Sequence, residues 1–572
     1  MPVHNTDIAG MFNQFADLLE IDGANPFRVR AYRNAARTIS SLAQSANDMV
    51  REGKDLTELP GIGKDLAQKI EEIVKTGTLV QLKELGAHVP PQLSRLMKMP
   101  GLGPKRVRTL HEKLGITTLE ELKMAAEKGK ISQLRGFGKK IEQVVLEEIG
   151  RVKKGERIKL SVAEEIANGM VTHLKKVEGV KEIEVAGSYR RRKETVADLD
   201  ILVTCINEGK VMDHFVNYED VERVLSRGET RSSVQLRSGI QMDLRAVPQM
   251  SYGAALHYFT GSKAHNIAIR MLGVKKGLKI NEYGVFKGTR RIAGKHEEEV
   301  FKAVNLPFIE PEIRENWGEI ESAQRGQLPT LITIKDIHGD FHAHTKATDG
   351  HHSLEEMVEA ARARGYKYLA ISDHSKRVTM AHGFDMKRLA QRIKEIDRLN
   401  ARLTGFTVLK SIELDILKDG SLDLPDGILK ELDLTVCSVH YHFHLSRIEQ
   451  TERILRAMDN PYFHILAHPT GRLINERNPY DVDMERLMEA ARERGCFLEL
   501  NGHPDRLDLS DVHTKMAKDM GIKVAISTDA HRTSDLDYMR FGIGQARRGW
   551  LERDDVLNTR SWKEIKKLLR SK

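Results

Sequence analysis

Cysteine is nearly absent. Cys205, Cys437 and Cys496, the three in 572 residues, stand too far apart for a disulfide framework or a cysteine-knuckle metal site. Buried free thiols in a reducing cytoplasm are the expectation. Long apolar runs are missing as well: none approaches the roughly 18 residues of a membrane span, and residues 1–20 lack the basic start and apolar centre of a secretory leader. Strong charge of one sign is also lacking. The net charge is +9, and +7 of it falls in residues 1–160, where 27 Lys and Arg face 20 Asp and Glu. A surplus of this size by itself only favours solubility, but its position puts a basic partner surface in the N-terminal part.

The length exceeds what one hydrophobic core serves, so two or more large units are expected. Up to about Gly155 the chain carries short amphipathic segments at helical period, such as Leu66, Ile70, Ile73 and Val74, and reads as all-helical. From Ile183 to about Val247, β-branched runs (EIEVAG, DLDILVTC, IQMDLRAV) predict a mixed sheet, with a helix around Glu219 to Leu225 between them. After a Gly-, Pro-, Gln- and Ser-containing stretch near Ser322–Thr333, strand runs alternate with helix patterns to VAISTDAH, which predicts an α/β barrel behind a linker. Fifteen of the 23 histidines lie from His338 onward, which invites a metal site there.

Three glycine pairs recur in the first part: LPGIG with Gly61 and Gly63, MPGLG with Gly101 and Gly103, and LRGFG with Gly136 and Gly138. Each pair flanks one apolar residue and opens a helix. The apolar residue can plug between two helices while the glycines let the backbone approach a phosphate. One copy would be an ordinary helix end; three copies, with Lys64, Lys105, Arg106, Lys139 and Lys140 nearby, resemble helix-hairpin-helix motifs that grip duplex DNA.

In DLDILV, Asp198 and Asp200 are two apart on a strand and project from one face. Such a pair can bridge two divalent cations, as phosphoryl transfer onto a primer hydroxyl requires. Asp243, alone among Ile240, Met242, Leu244 and Val247, is the candidate third carboxylate. Upstream, Gly187 and Ser188 stand at a turn where amides and a hydroxyl can hold phosphate, with Arg191 adding charge.

Taken together, GSYRR, the eleven-residue step from Gly187 to Asp198, the Asp-x-Asp pair, Asp243 and then YFTGS resemble DNA polymerase beta and its family X relatives. The resemblance implies nucleotidyl transfer with Mg²⁺ or Mn²⁺ on Asp198, Asp200 and Asp243, and dNTP held by Gly187, Ser188 and Arg191. It also implies Tyr258, Phe259 and Gly261 beside the incoming sugar, and Asn266 and Arg270 at the nascent pair and template. NPFRVRAYRNAA resembles the small N-terminal domain of these enzymes, implying DNA contacts from Arg28 and Tyr32. Lys69 matches the lysine that removes a 5′-deoxyribose phosphate through a Schiff base. Asp65 stands where a second lysine is usual, so Lys69 reads equally as a 5′-phosphate contact.

In the last part, FHAHT puts His342 and His344 on one strand face, Asp349 follows in a loop, and His374, Glu413, His440, His468, Asp529 and His531 stand at successive strand ends. Imidazoles mixed with carboxylates suit Zn²⁺, Mn²⁺ or Fe²⁺ and phosphoester hydrolysis. The order resembles the polymerase and histidinol phosphatase (PHP) family, implying a (β/α)7-type barrel, up to three metals and, beside a polymerase, 3′–5′ exonuclease and AP endonuclease activity. His442 and His444 are extra imidazoles whose place is open, His351 and His352 face solvent, and Lys346 and Arg472 stand near the ligands.

The predicted layout is a multidomain α+β and α/β chain. It comprises a small helical lyase-like domain (1–85), a helix-hairpin-helix subdomain (86–155), palm (156–250), thumb (251–318), linker (319–335) and PHP domain (336–572). The leading expectation is a monomeric gap-filling base-excision-repair polymerase with its own nuclease, acting on gapped or nicked duplex and dNTPs. The alternatives are a DNA-end scaffold with a phosphoesterase domain and an inactive polymerase core, and a small-molecule phosphoesterase tethered to DNA.

Overall fold

The computed structural model describes residues 5–40, 42, 46–97, 102–134, 137–138, 141–142, 145 and 157–569. Gly101, Gly136, Lys139 and Lys140 lie outside them. Two compact units divide the chain, Met1–Glu156 and Arg157–Lys572. Among the described residues no helix is long and apolar enough to cross a membrane.

The first unit is helical throughout its described part. Helices Asn5–Asp22, Pro26–Ser40 and Lys64–Thr76 close one core around Phe12, Phe15, Ile39, Ile70 and Ile73. A second core gathers Leu18, Leu93, Leu96, Val107, Leu110 and Ile131, with Pro104–Leu114 as its central helix. Local chemistry sets the ends: Pro104 is pre-shaped for a first helical turn, and Gly77 and Gly115 take left-handed conformations that close the last turns of their helices. Tyr32, expected to touch DNA, is instead 2% exposed and packs edge-on against Phe12 and Phe15 at 5.5 and 4.8 Å. The ring carries too much apolar area to leave out of so small a core.

The second unit begins with helix Leu160–Leu174 against a five-stranded sheet ordered Val180–Val185, Asp198–Cys205, Gln241–Ala246, Arg231–Leu236, Val221–Arg227. The helix expected near Glu219–Leu225 is the strand Val221–Arg227, and the helix of this stretch lies earlier, at Glu208–Val216. As an edge strand it is exposed along nearly its whole length, so its polar residues carry no alternating signal, and pairing with Arg231–Leu236 decides the conformation. Next come helices Tyr252–Thr260 and Lys263–Lys275, a three-stranded antiparallel sheet spanning residues 278–293, and helix Glu297–Ala303. Residues 319–335, expected as a linker, contain helix Glu319–Gln324, whose Ile320 and Ala323 enter the same core as Phe301, Leu331 and Trp550.

Beyond residue 338 the strands pair in parallel in a three-stranded sheet (Gly339–Asp340, Tyr368–Ile371, Thr407–Lys410) and a five-stranded one (Glu413–Asp415, Val436–Ser438, Ile465–Leu466, Phe497–Asn501, Val524–Ser527). Parallel bridges His374–Glu413 and Ala343–Ala530 extend the pairing at both ends. One apolar cluster takes Phe341, Tyr368, Leu409, Val436, Ile465, Phe497 and Ala525 from successive strand segments. Alternate residues, such as Leu369, Val408, Cys437, Leu466, Leu498 and Val524, pack beneath helices. With both faces buried, these strands read as continuous apolar runs.

Candidate active sites

Strand Asp198–Cys205 runs parallel to Gln241–Ala246, with Asp200 opposite Asp243 and Asp198 opposite Gln241. The strand period puts Asp198 and Asp200 on one face, and the register puts Asp243 beside Asp200 on that face. Asp243 accepts a hydrogen bond from Ser233. Burial, then the Asp198 and Asp243 carboxylates, push the Asp200 carboxyl up to about 6. Three crowded carboxylates, whose burial and mutual repulsion outweigh the nearby Arg245 and Arg231, form a donor set suited to hard divalent cations.

A cleft of about 720 Å³ opens over Asp198 and Asp200, lined also by Gly187, Ser188, Arg191 and Phe259. Arg191 has already engaged protein partners, donating through Nε to Glu315 at 2.9 Å and through Nη1 to the Thr260 carbonyl at 2.7 Å. Asn266, expected at the nascent pair, is buried. Its amide donates to the Tyr258 and Gly261 carbonyls at 2.6 and 3.1 Å, so in this structure it braces the YFTG turn. Gly261 is needed there, since a Cβ would stand 2.5 Å from Asn266 Oδ1. Arg270 lies over the Tyr258 ring at 5.6 Å, and Tyr258 packs edge-on to Phe259. The same cleft is lined by Arg157, Lys193, Lys263, Asp511, Gln545 and Arg548. Lys193, next to the RRR run, was within reach of sequence reasoning. Asp511, Gln545 and Arg548 come from the other end of the chain and leave no local signal.

In the first unit, the apolar residue of each glycine pair is buried: Ile62, Leu102 and Phe137 are 3%, 1% and 5% exposed. Gly63, Gly103 and Gly138 are exposed, the first two as N-caps of Lys64–Thr76 and Pro104–Leu114. Gly61 adopts φ +76°, a left-handed turn that glycine takes without a Cβ penalty. Arg28 is exposed. Lys69 is buried, and its amine pairs with the exposed Asp65 carboxylate.

All nine C-terminal ligand candidates converge. Glu413 Oε2 lies 2.9, 3.5 and 3.7 Å from His374, His342 and His344, while Oε1 lies 2.9 and 3.2 Å from His468 and His440. Asp349 reaches His374 at 3.0 Å and His531 at 3.5 Å, and Asp529 reaches His344 at 3.1 Å and His342 at 3.6 Å. Three overlapping groups bring their ligand atoms within 4.8 Å of one another: His344, Asp349, His374 and His531; His342, His344 and Asp529; and His374, Glu413 and His440. Burial opposes protonation of His342, yet the Asp529, Glu499 and Glu413 carboxylates outweigh it and hold that imidazole well above its ordinary value. Burial likewise opposes ionisation of Glu413, and the surrounding His374, His440 and His342 overcome it.

His342 Nε2 and His344 Nδ1 are buried without hydrogen-bond partners. Together with the shared carboxylates they fit transition-metal cations, which would satisfy both at once. Sequence reasoning missed Glu499, 2.8 Å from His342 Nδ1, and Asn501 and Arg506, which hold Asp529 at 3.1 and 3.3 Å. The alternation in FLELN was the available signal for Glu499 and Asn501. His442 and His444 are exposed, as is His351, while His352 is half-buried. Arg472 is committed to Glu194 at 2.6 Å and to the Arg506 carbonyl at 2.9 Å.

Family profiles match along the chain: a helix-hairpin-helix domain at 3–79, a SAM-like helix-hairpin-helix tandem at 93–151, the DNA polymerase beta palm at 157–238 and thumb at 255–315, and a PHP domain at 340–520. A DNA polymerase/3′-5′ exonuclease PolX of Bacillus subtilis is 38% identical over 573 residues, covering 99% of this chain and all of the relative. A probable phosphatase of Thermoanaerobacter is 32% identical over 249 residues, 41% of this chain and 94% of that protein. DNA polymerase lambda of Arabidopsis thaliana is 28% identical over 297 residues, 45% of this chain and 53% of that protein.

Proposed function

Because this chain belongs to the PolX family, the family X DNA polymerases that carry a PHP domain, we propose that it fills short gaps in damaged DNA and edits its own product. It is a DNA polymerase and a 3′–5′ exonuclease. Gap filling within base excision repair, and incision at abasic sites by the C-terminal centre, are the finer parts of the proposal. Asp198, Asp200 and Asp243 would hold Mg²⁺ or Mn²⁺, and the nine C-terminal ligands up to three of Zn²⁺, Mn²⁺ or Fe²⁺. When bound, these cations supply Lewis-acid activation of the attacking oxygen and neutralise phosphate charge.

The chain's own residues do the positioning. Ser188 and Arg191 face the triphosphate, Phe259 walls the sugar side of the cleft, and the glycine hairpins hold the backbone on either side of the gap without reading sequence. At the C-terminal centre, Glu413 is shared by five imidazoles and sets their spacing, while Glu499 orients His342 from behind. The eight strands, with Thr407–Lys410 and Glu413–Asp415 taken as one run that pairs along residues 368–374, are read as a closed (β/α)7 barrel bridged between Ala343 and Ala530 that gathers these strand ends.

The observation that carries this reading is the register that brings Asp243 beside Asp200 and Asp198 under the cleft. The test is extension of a primer on a duplex with a short 5′-phosphorylated gap, against the same primer on an open template. Filling to the downstream end with preference for the gap supports the proposal; equal use of both substrates removes the gap-filling part. An abasic duplex left uncut removes the incision part.

A further inference from the structure

The C-terminal part of the chain reaches into the polymerase cleft. Helix Met539–Arg548 ends on Arg548, whose side chain is 1% exposed. Its Nη1 donates to the Arg191 carbonyl at 2.8 Å, to Glu315 at 3.1 Å and to the Glu312 carbonyl at 3.2 Å. Nε and Nη2 both bind Asp511, at 3.0 and 2.5 Å. Glu315 Oε1 is the same oxygen that accepts from Arg191 Nε at 2.9 Å. The result is an alternating row, Arg191, Glu315, Arg548, Asp511, in which one carboxylate oxygen lies between two guanidiniums.

This row has an electrostatic consequence for the cleft that Arg191, Asp511 and Arg548 all line. With two guanidiniums and two carboxylates the row is neutral as a whole, and removing Arg548 would leave it with one net negative charge in a low-dielectric site. Glu315 also fixes Arg191 through Nε while its Nη1 is tied to the Thr260 carbonyl. Nη2 remains as the donor without a protein partner among the described residues. Without Arg548, Glu315 would pair with Arg191 alone, and Asp511 would lose its guanidinium partner beside the expected triphosphate, with Lys193 as the remaining cation near it.

We propose that Arg548, supplied by the nuclease part of the chain, is a positioning residue for the polymerase: through Glu315 it sets the orientation and effective charge of Arg191 toward the incoming nucleotide. The inference rests on the reading of Arg191 as a triphosphate contact. A neighbouring pair separates this role from simple adhesion between the parts. Arg547 also crosses to the polymerase side, binding Glu312 at 2.7 Å, but it does not touch Arg191 or Glu315.

The experiment is single-nucleotide insertion on a gapped duplex by the full chain, with KM for dNTP and kcat measured separately, and shortening of a single-stranded primer as the control for an intact nuclease part. Arg548→Met is expected to raise KM roughly tenfold with kcat changed by less than about threefold and shortening retained, whereas Arg547→Met stays within about twofold in KM. In a Glu315→Gln background, adding Arg548→Met should shift KM by less than about twofold, because the connecting carboxylate is gone. If Arg548→Met loses both activities, Arg548→Lys, which keeps the charge but reaches fewer acceptors, carries the test and should raise KM by roughly threefold. Equal shifts from Arg547→Met and Arg548→Met, or full additivity with Glu315→Gln, overturn the inference while leaving Arg191's role intact. An unchanged KM in Arg191→Met overturns the reading of Arg191 and the inference with it.

Discussion

Glu297 ties the Gly187–Arg190 turn to helix Glu297–Ala303. It accepts from Arg190 through both oxygens at 2.9 Å and from the wholly buried Arg314. Burial alone would raise its carboxyl, but Arg314 and Arg190 outweigh that and bring it down to about 2 from an ordinary 4.5. A shift of that size corresponds to roughly 3 kcal/mol favouring the charged, paired form. Burial also holds Arg314 below the usual guanidinium range despite Glu297 beside it, so the cluster as a whole contributes less than the Glu297 shift suggests. Removing Glu297 alone is different, because it leaves two largely buried guanidiniums without a counter-charge.

Glu297→Gln should therefore cost about 2–3 kcal/mol and Glu297→Ala about 3–5, read by urea-dependent hydrogen exchange in peptides from residues 252–315. Since the folded value is depressed, the stabilisation is present above pH 4.5 and is lost as pH falls from there toward 2. The difference between wild type and Glu297→Gln should shrink over that window. Equal protection of the two proteins at pH 7, or a difference that does not change between pH 5 and 3, would refute the assignment of the pair as a principal tie.

Other consequences follow from the same geometry. Gly63→Glu meets open space where a Cβ would stand, so it should leave the first unit folded by circular dichroism yet weaken gapped-duplex binding roughly tenfold at low salt; unchanged affinity would remove this hairpin from the DNA surface. If Lys69 forms a Schiff base, borohydride should trap the wild-type chain on an abasic 5′-phosphate substrate and Lys69→Met should not be trapped; no adduct from wild type leaves Lys69 as a phosphate contact. Chelation should abolish primer shortening with little change in far-UV circular dichroism, and metal analysis of Glu413→Gln should find the C-terminal centre depleted, because that carboxylate touches five of its imidazoles; full metal content in the variant would contradict the shared-carboxylate role.

Much of this was legible where chemistry is local. Asp198 and Asp200 declare a strand face by their spacing, the apolar residue inside each glycine pair declares its burial, and nine metal-type side chains in the C-terminal part declare a metal site. Legibility fails where a partner distant in sequence decides. Val221–Arg227 reads as helix because an edge strand owes its conformation to hydrogen bonds with Arg231–Leu236 rather than to alternation. Tyr32 sits among exposed-looking arginines, and only the packing of Asn5–Asp22 against its helix shows that the ring is core. Arg191 resembles a ready phosphate ligand, but Glu315 and Arg548, which govern it, are visible only once the far end of the chain is folded against it.

The most direct measurement of the central claim is extension and shortening of one labelled primer on a gapped duplex by the full chain, the Asp198→Ala/Asp200→Ala variant and the His342→Ala/His344→Ala variant. Two separate active centres predict that the first variant shortens the primer but does not extend it and that the second extends it but does not shorten it. Loss of both activities in either variant, or survival of extension without Asp198 and Asp200, would contradict the account.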